Sequence, residues 1–239
     1  MRAVGAWTTV AVMQAPRGAY PADRAAALSG VPLSTVHWWA RHDVLVPAVS
    51  AQRVKLWSYS DLMGLRIIYW LRQRKETPDG VAVPRTAMPS VRRALAQLAE
   101  LDLSLWTEDS GPSLCVDRAG EVVVLADPDP ELPHRQRRFR VDGTDVLLVL
   151  SAFKTAAGGA GPDLKSPRPQ LRIVPGKLGG SPHVIHTRIE SRALSALADG
   201  GLPSSKIREL YPEIGAGAVD DALELERQLA GNLGRSRAA

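Results

Sequence analysis

The chain has 239 residues, of which 45% are hydrophobic and 23% are charged, a composition that is ordinary for a folded globular protein and excludes disorder throughout. A chain of this length favours two or three small modules over one large core. The single cysteine, Cys115, excludes an intramolecular disulfide and a thiolate zinc cluster, and it predicts a reducing compartment such as the cytoplasm.

Charge divides the chain into a basic front and an acidic rear. The formal net charge is +5. Segment 21–75 carries eight basic residues against three acidic ones, whereas segment 190–229 carries eight acidic residues against four basic ones. The two ends are therefore expected to meet different partners, with phosphate favoured at the front.

No stretch approaches the roughly 20 apolar residues that a membrane span requires. The first fifteen residues are mildly apolar, but Thr8, Thr9 and Gln14 interrupt any signal-peptide core. We therefore expect no membrane partner and an N-terminal extension at 1–19.

The front of the chain, 20–100, has the pattern of a helix-turn-helix with a hairpin and further helices. Residues 21–28 are Ala-rich and end at a Ser-Gly stop signal, and residues 33–42 predict a second helix after a tight turn. The β-like pieces 46–49 and 54–57 predict a hairpin the size of a wing.

Two more helices complete this front segment. Tyr59-Ser60-Asp61 offers capping residues for the first of them. Its apolar residues recur at helical spacing: Leu62, Leu65, Ile68, Tyr69 and Leu71. A second helix is predicted at 89–100.

The middle of the chain, 101–155, predicts a small antiparallel β unit. Alternation at 101–105 and apolar runs at 114–116 and 121–125, separated by turn residues, predict a three-stranded meander. The apolar run 146–153 fits either a strand or a helix.

The rear module, 171–230, follows a Pro- and Gly-rich linker at 156–170 and precedes a flexible tail at 231–239. Three helices are predicted in it, at 189–199, 205–210 and 217–229. Their tight turns resemble a second helix-turn-helix scaffold. The predicted fold class is α+β, mainly α: an N-terminal winged helix-turn-helix, a small central antiparallel β segment and a C-terminal three-helix module.

The second predicted helix separates apolar from polar residues. At 100° per residue, one side holds Val36, Trp39 and Ala40. The opposite side holds Ser34, His37, Trp38 and Arg41. Such a face can enter a DNA groove, since Arg and His donate to bases or phosphates and Trp packs against sugar-phosphate. The alternative is an interior pair of tryptophans with incidental polar neighbours.

The predicted wing adds two cations. Arg53 and Lys55 occupy alternate positions of a strand, share one face and could both meet phosphate. Alone, such charges are usually solvated.

Four front motifs carry a family resemblance: Ala27-Leu28-Ser29-Gly30-Val31, Ser34-Thr35-Val36-His37-Trp38-Trp39, Val44-Leu45-Val46-Pro47 and Tyr59-Ser60-Asp61-Leu62. Together they resemble the MerR-like winged-helix family, whose recognition helix usually has an Arg followed by two Tyr where this chain has His37, Trp38 and Trp39. The resemblance implies DNA binding by helix 34–42 and wing 53–57. The predicted DNA contacts are Ser34, Thr35, His37, Trp38, Arg41, Arg53 and Lys55.

A second set of motifs lies in the rear: Val174-Pro175-Gly176, Gly179-Gly180-Ser181-Pro182, Thr187-Arg188-Ile189, Gly201, Ile207, Tyr211-Pro212 and the closing segment 219–225. These resemble a short helical family of VapB-type antitoxins. That family usually has a Gly before Thr-Arg-Ile, where this chain has His186. The whole arrangement resembles antitoxins encoded beside PIN-domain ribonuclease toxins. The resemblance implies toxin neutralisation and repression of the chain's own operon.

Other candidates have plainer interpretations. His183, His186 and Glu190 could suggest a metal site, but Pro182 and the preceding glycines predict loop histidines on the surface or in capping positions. The basic run Arg135, Arg137, Arg138 and Arg140 could reach nucleic acid or an acidic partner, or form a solvated loop. Cys115 is expected to be a small buried hydrophobe. Arg235 and Arg237 are expected to be exposed in the tail, where an arginine could occupy a cation's place in a PIN nuclease site.

The leading hypothesis is an antitoxin that binds double-stranded operator DNA and a PIN-domain toxin. No cofactor and no metal are expected, and no nucleophile elbow, phosphate loop or zinc-protease motif predicts an enzyme. A homodimer is expected because helix-turn-helix readers usually span paired half-sites about 34 Å apart. One alternative is a MerR-like regulator whose central segment senses a small molecule; a third class is a nuclease or other hydrolase.

Overall fold

The computed structural model describes residues 18–76, 82–101, 103, 106–110, 113–125, 146–155 and 158–238. These ranges contain seven α-helices: α1 (Ala22–Ser29), α2 (Leu33–Arg41), α3 (Tyr59–Arg72), α4 (Met88–Ala99), α5 (Ser191–Asp199), α6 (Ser204–Leu210) and α7 (Ala218–Ala238). They also contain short strands: β1 (Tyr20–Pro21), β2 (Leu56–Trp57), β3 (Lys75–Glu76), β4 (Ala82–Val83), β5 (Ser113–Asp117), β6 (Val122–Leu125), β7 (Val146–Leu148), β8 (Phe153–Lys154), β9 (Ala160–Gly161), β10 (Leu171–Arg172) and β11 (His183–Val184).

All of these strands pair antiparallel. Four two-stranded ladders join β1 to β2, β3 to β4, β8 to β9 and β10 to β11, and a three-stranded sheet has the order β6-β5-β7. The expected α+β class, dominated by helices, is confirmed. No helix in the described ranges has both the length and the apolar character needed to cross a bilayer.

A tight glycine turn joins α1 to α2. Gly30 adopts φ +77°, and its N–H donates to the carbonyl of Ala26 at 2.9 Å, which closes α1. A Cβ at this position would lie 2.4 Å from the backbone nitrogen of Gly161, because β9 passes directly against the turn. Conformation and close approach therefore both require glycine here.

α3 is the central helix of the front segment. Its N-terminus is a capping box, in which the Ser58 hydroxyl accepts from the Asp61 amide at 3.1 Å and the Asp61 carboxylate accepts from the Ser58 amide at 2.7 Å. The N-cap is thus Ser58, directly before the expected capping residues Tyr59-Ser60-Asp61, of which Asp61 takes part in the box. Most of the helix is buried, with six apolar side chains fully enclosed: Leu62, Met63, Leu65, Ile67, Ile68 and Leu71.

Arg66 is also fully buried, in the middle of α3. Its Nη1 donates to the carbonyls of Val149 and Ser151 at 3.1 and 2.8 Å, and to that of Leu150 at 3.3 Å. Its Nη2 donates to the carbonyls of Leu28 and Pro162. One guanidinium therefore ties α3 to α1, to the strand region after β7 and to the segment after β9.

The rear helices pack directly on the front ones. The Arg24 guanidinium on α1 forms a bidentate pair with the Glu226 carboxylate on α7, at 2.6 and 2.7 Å, and the Ser191 hydroxyl of α5 donates to the same carboxylate. Asn232 donates to the carbonyl of Ala27 at 2.9 Å. The buried side chains accordingly form one cluster that runs from β1 to α7.

Two buried tyrosines add long-range links between distant segments. The Tyr20 hydroxyl donates to the Gly180 carbonyl at 2.7 Å, and the Tyr59 hydroxyl donates to the Leu164 carbonyl at 2.8 Å. Leu164 is fully buried, although it lies in the stretch expected to be a linker. Residues 158–170 thus contribute β9 and core contacts.

The expected wing hairpin differs from the observed segment. Residues 46–49 form no strand, because Pro47 lacks an amide donor and the Ala48 amide donates to Asp61 at 2.9 Å. A single bridge between Ser50 and Leu56 closes a loop, and β2 pairs with β1 instead of with the predicted partner. A winged arrangement of two regular strands is therefore absent from 46–57.

Two further predictions are corrected. The third strand of the sheet is β7, which pairs with β5, whereas the described residues Leu101 and Leu103 lie outside any strand. α7 continues through Ala238, beyond its expected end at Leu229, since Leu229 and Leu233 pack on the core and Asn232 hydrogen-bonds to it. The tail is helical despite its glycines.

Candidate nucleic-acid interface

α2 presents the two faces that its sequence predicted. Its buried residues are Val36, Trp39 and Ala40. Its exposed residues are Ser34, His37, Trp38 and Arg41. Thr35 is half-buried at the edge between the two faces. The interpretation of two interior tryptophans is thereby excluded, because Trp38 is 48% exposed and only Trp39 packs inside.

The exposed face of α2 is ordered by local contacts. The Trp38 and His42 rings stack with centroids 4.2 Å apart and an interplanar angle of 20°. The His42 Nδ1 lies 2.8 Å from the Trp38 carbonyl, and the Arg41 Nε donates to the His37 carbonyl at 3.3 Å. His42 is a member of this surface that sequence reasoning missed, although its spacing of four from Trp38 is the signal that could have found it.

α2 is held in place from its buried side and its C-terminus. The Val44 amide donates to the Trp39 carbonyl at 3.0 Å, which turns the chain away from the helix axis. Asp61 then binds the loop after α2 to α3 by accepting from Ala48. Burial raises the pKa of Asp61, while the hydrogen bonds from Ala48 and Ser58 offset part of that rise. α3 therefore anchors the loop that follows α2, while α2 itself packs on α1 and α7.

The two predicted wing cations are placed differently from each other. Arg53 is exposed at the tip of the loop 50–56. Lys55 is half-buried, and its Nζ donates to the Ala51 carbonyl at 3.1 Å. The Ser50 hydroxyl donates to the Val54 carbonyl at 2.8 Å, so local bonds replace a strand ladder here. Only Arg53 projects freely into solvent.

The front segment exposes less positive charge on its surface than its sequence contains. Arg66 is buried, and Arg24 is engaged by Glu226. The exposed cations nearest in sequence to α2 are therefore Arg41 and Arg53, on the helix and on the following loop. These two arginines are the permanently charged groups that this surface offers to a phosphate.

The rear candidates are joined by a carboxylate that the sequence did not single out. Glu108 accepts from Lys177 and from the Nε2 of His183, which is 2.8 Å away, and from the backbone amide of His186 at 2.8 Å. Partial burial alone raises the pKa of Glu108, but these hydrogen bonds and the Lys177 charge outweigh it and lower the pKa to about 2. Glu108 thus clamps segment 106–110 onto the rear module.

The histidines are occupied in this clamp. His183 is fully buried, with its Nδ1 2.9 Å from the Ser181 carbonyl and its Nε2 on Glu108. Glu190 pairs with Arg192 at 2.5 Å. Among the described residues, no three His, Cys, Asp or Glu side chains are grouped to hold a metal ion.

His186 adopts φ +60°, the left-handed conformation that glycine reaches most easily. It lies on the rim of an open cleft of about 570 Å³. The other residues lining this cleft are Gln170, Ile185, Thr187, Arg188, Ile189, Glu213 and Gly215. The Thr187-Arg188-Ile189 motif therefore borders a surface concavity beside the loop between α6 and α7.

Of the remaining candidates, Cys115 is buried in β5, as expected, and burial raises the pKa of its thiol. The basic run Arg135 to Arg140 lies outside the described residues. Nothing is described of the side chains of Arg235 and Arg237, which belong to the last turns of α7.

No protein-family model, curated protein or solved structure matches the chain.

Proposed function

We propose that the chain is an antitoxin-like transcription regulator, which binds operator DNA through α2 and a PIN-domain ribonuclease toxin through its rear module. The observation that carries the DNA half is the exposed face of α2. A short helix, packed on one side and bearing Ser, His, Trp and Arg on the other, has the shape and chemistry of a recognition helix.

In the proposed complex, α2 enters the major groove. Arg41 and His37 donate to base edges or phosphates, and Ser34 acts near the helix N-terminus. The stacked rings of Trp38 and His42 form a flat surface suited to the sugar-phosphate backbone. Arg53 reaches a phosphate from the loop after α2. The proposed DNA-contacting set is completed by Thr35 and Lys55 at its margins.

The toxin half rests on the rear motifs. Thr187-Arg188-Ile189 borders an open cleft, and His186 holds the conformation that suits the glycine usual at that position of the VapB-type family. Leu210 on α6 is 58% exposed and offers an apolar contact on the surface of the rear module. We therefore assign the toxin contact to Arg188 and Leu210.

The DNA half is tested by fluorescence anisotropy with the chain's own promoter over a series of salt concentrations. The Arg41→Ala/Arg53→Ala variant should bind on the order of tenfold or more weakly, and the salt slope should fall by about 1 for each phosphate that the variant no longer neutralises. Both side chains are exposed, so the variant should remain folded.

The matched control for this test is Arg92→Ala/Arg208→Ala. It removes the same charge from exposed positions on α4 and α6 and should retain the affinity and the slope. If both double variants weaken DNA binding equally, the effect comes from net charge alone, and α2 is refuted as the recognition helix. Full affinity in the first variant would refute it as well.

The toxin half is tested by isothermal titration with the product of the adjacent gene. Deleting 189–239 is unsuitable, because it removes α5 to α7 and with them the contacts of Glu226 and Asn232 to α1. Arg188→Ala/Leu210→Ser is expected to weaken the complex by tenfold or more.

Arg92→Ala/Val124→Ser provides the control, since it changes an exposed arginine and an exposed apolar residue outside the rear module. Retained affinity in the rear variant would contradict the assigned surface. No complex with the adjacent gene product would refute the toxin half and leave the DNA half standing.

Dimerisation is part of the proposal for DNA binding. A pair of α2 helices about 34 Å apart would match successive major grooves. Sedimentation equilibrium should give twice the monomer mass of 25.8 kDa for the free protein, and that mass plus the mass of one duplex for the complex with DNA. A monomer that binds a single half-site would contradict it.

A further inference from the structure

A second concavity, of about 440 Å³, lies behind α2. It is formed by the partly buried edge of α2, the C-terminal end of α3 and the segment that leads into α4. Its lining residues are Thr35, Trp39, Tyr69, Arg72, Gln73, Arg74 and Arg85. Apart from Thr35, none of them belongs to the proposed DNA-contacting set.

Three arginines line this cavity. Arg72 is held by its Nη1, which donates to the Thr86 carbonyl at 3.0 Å, and the Thr86 amide donates back to the Leu71 carbonyl at 2.9 Å. These two bonds fix the segment of Arg85 beside the end of α3. Arg74 and Arg85 are exposed. The backbone of the Arg85 segment is therefore held against the C-terminal end of α3.

The cavity arginines form no ion pair with the carboxylates whose side chains the structure describes. No described Asp or Glu side chain lies within 4.0 Å of the guanidinium groups of Arg72, Arg74 or Arg85. Arginine presents paired donors whose geometry matches phosphate oxygens. Three such groups around one recess match the charge of a phosphate monoester or a diphosphate.

The other wall of the cavity is aromatic. Trp39 packs into the core from α2, and Tyr69 meets Phe153 edge-on, with centroids 6.1 Å apart and planes at 83°. Both rings are thus fixed in place. A volume of 440 Å³ falls within the range of small-molecule sites, which are usually apolar with a few polar anchors.

We propose that this cavity binds a small phosphorylated molecule, with its phosphate on the three arginines and its organic part against Trp39 and Tyr69. A recess favours such a ligand over a DNA phosphate, because a duplex presents its phosphates on a convex backbone that side chains meet from a surface. Because Thr35 and Trp39 belong to α2, the ligand would contact the helix proposed to read DNA. Binding of the ligand itself does not rest on the DNA proposal.

The test uses isothermal titration of the full chain, in phosphate-free buffer, with pyrophosphate and with adenosine monophosphate as probes. Adenosine is the probe without phosphate. Saturable binding of a phosphate-bearing probe is expected at micromolar to millimolar concentration, with adenosine at least tenfold weaker. Arg74→Ala/Arg85→Ala should lose at least tenfold in affinity, and the charge-matched Arg92→Ala/Arg208→Ala should lose none.

Absence of saturable binding for both phosphate probes overturns the proposal, as does equal loss in the two double variants. A second arm measures promoter DNA binding in the same buffer. If Arg74→Ala/Arg85→Ala weakens DNA binding while the unchanged chain binds neither probe, these arginines contact the DNA backbone and the small-molecule site is refuted. If Arg41→Ala/Arg53→Ala keeps full affinity for promoter DNA while the unchanged chain binds a phosphate probe, the proposed function alone is refuted.

Discussion

Replacing Arg66 with methionine is expected to destabilise the fold by about 4 kcal/mol. Methionine has a similar length and fills much of the same space, so the change removes the charge and the donors without opening a large cavity. The residue sits at the centre of α3 with no exposed surface. Burial lowers the pKa of its guanidinium to about 10, against the opposing influence of Tyr59 and Asp163.

The magnitude follows from how the donors are shared. Three carbonyls, of Val149, Leu150 and Ser151, are bound by Nη1, and two, of Leu28 and Pro162, are bound by Nη2. The substitution therefore removes two charged donor groups, each contributing about 1.5–3 kcal/mol net. Release of the buried charge offsets part of this loss, while buried carbonyls left without a donor add to it. The result is about 3–5 kcal/mol, against a total stability of about 5–15 kcal/mol for a typical fold.

The assay is urea unfolding at neutral pH, followed by tryptophan fluorescence. Arg92→Met is the control, because Arg92 is exposed on α4 and its change should shift stability by less than about 0.5 kcal/mol. Arg66→Lys should be nearly as damaging as Arg66→Met, since an ammonium keeps the charge but cannot span two groups of carbonyls. A loss below about 1 kcal/mol for Arg66→Met would refute the reasoning, because the carbonyls would then be satisfied without the guanidinium.

Two further predictions test how the rear module is held to the rest of the chain. Because the folded pKa of Glu108 lies below its ordinary 4.5, the stabilisation that Glu108 provides is complete above pH 4.5 and is lost as the pH falls towards 2. Urea unfolding at several pH values should therefore show a drop in the free energy of unfolding of about 2–3 kcal/mol that Glu108→Gln lacks. Parallel curves for the two proteins would contradict this prediction. Gly180→Ala should cost about 2–4 kcal/mol in thermal or urea unfolding, since at φ +80° its Cβ would lie 2.0 Å from the Tyr20 hydroxyl. Gly179→Ala, at φ +60° with open space around it, should cost only about 1–2 kcal/mol. Equal losses in the two variants would contradict the steric argument.

Helical periodicity predicted α2 well because burial of a helix depends on residues that are close in sequence. The assignment of Trp39 to the core and Trp38 to the surface follows from their 100° separation on the wheel. The N-cap of α3 was nearly as predictable from the sequence, because Ser58 is followed three residues later by Asp61, the spacing of a capping box. Local rules therefore predicted the candidate DNA-binding face, although His42 was missed.

Features set by long-range contacts could not be read in this way. β7 joins β5 across a long stretch of intervening chain, and no local pattern indicates which strand completes a sheet. Arg66 counts as surface charge in any composition analysis, yet its partners are carbonyls more than thirty positions away in sequence. The glycines near the chain end predicted a stop, but core contacts of Asn232 and Leu233 extend α7 past them. Tertiary contacts overrode local preference in each case.

The same contacts bear on how the two proposed activities could communicate. α1 is the first helix of the proposed helix-turn-helix, and it is also the surface on which α7 packs, through the Arg24–Glu226 pair and Asn232. A toxin bound at the rear alters DNA affinity only if its own affinity differs between two arrangements of the α1–α7 contact. That difference in binding free energy sets the upper limit of the effect on DNA binding. Because one carboxylate, Glu226, joins α1 to both α5 and α7, any such rearrangement has to break or rebuild charged hydrogen bonds there. Communication between the two halves therefore requires a discrete change at this contact, and a chain that keeps it unchanged when the toxin binds would read DNA with the same affinity in both states.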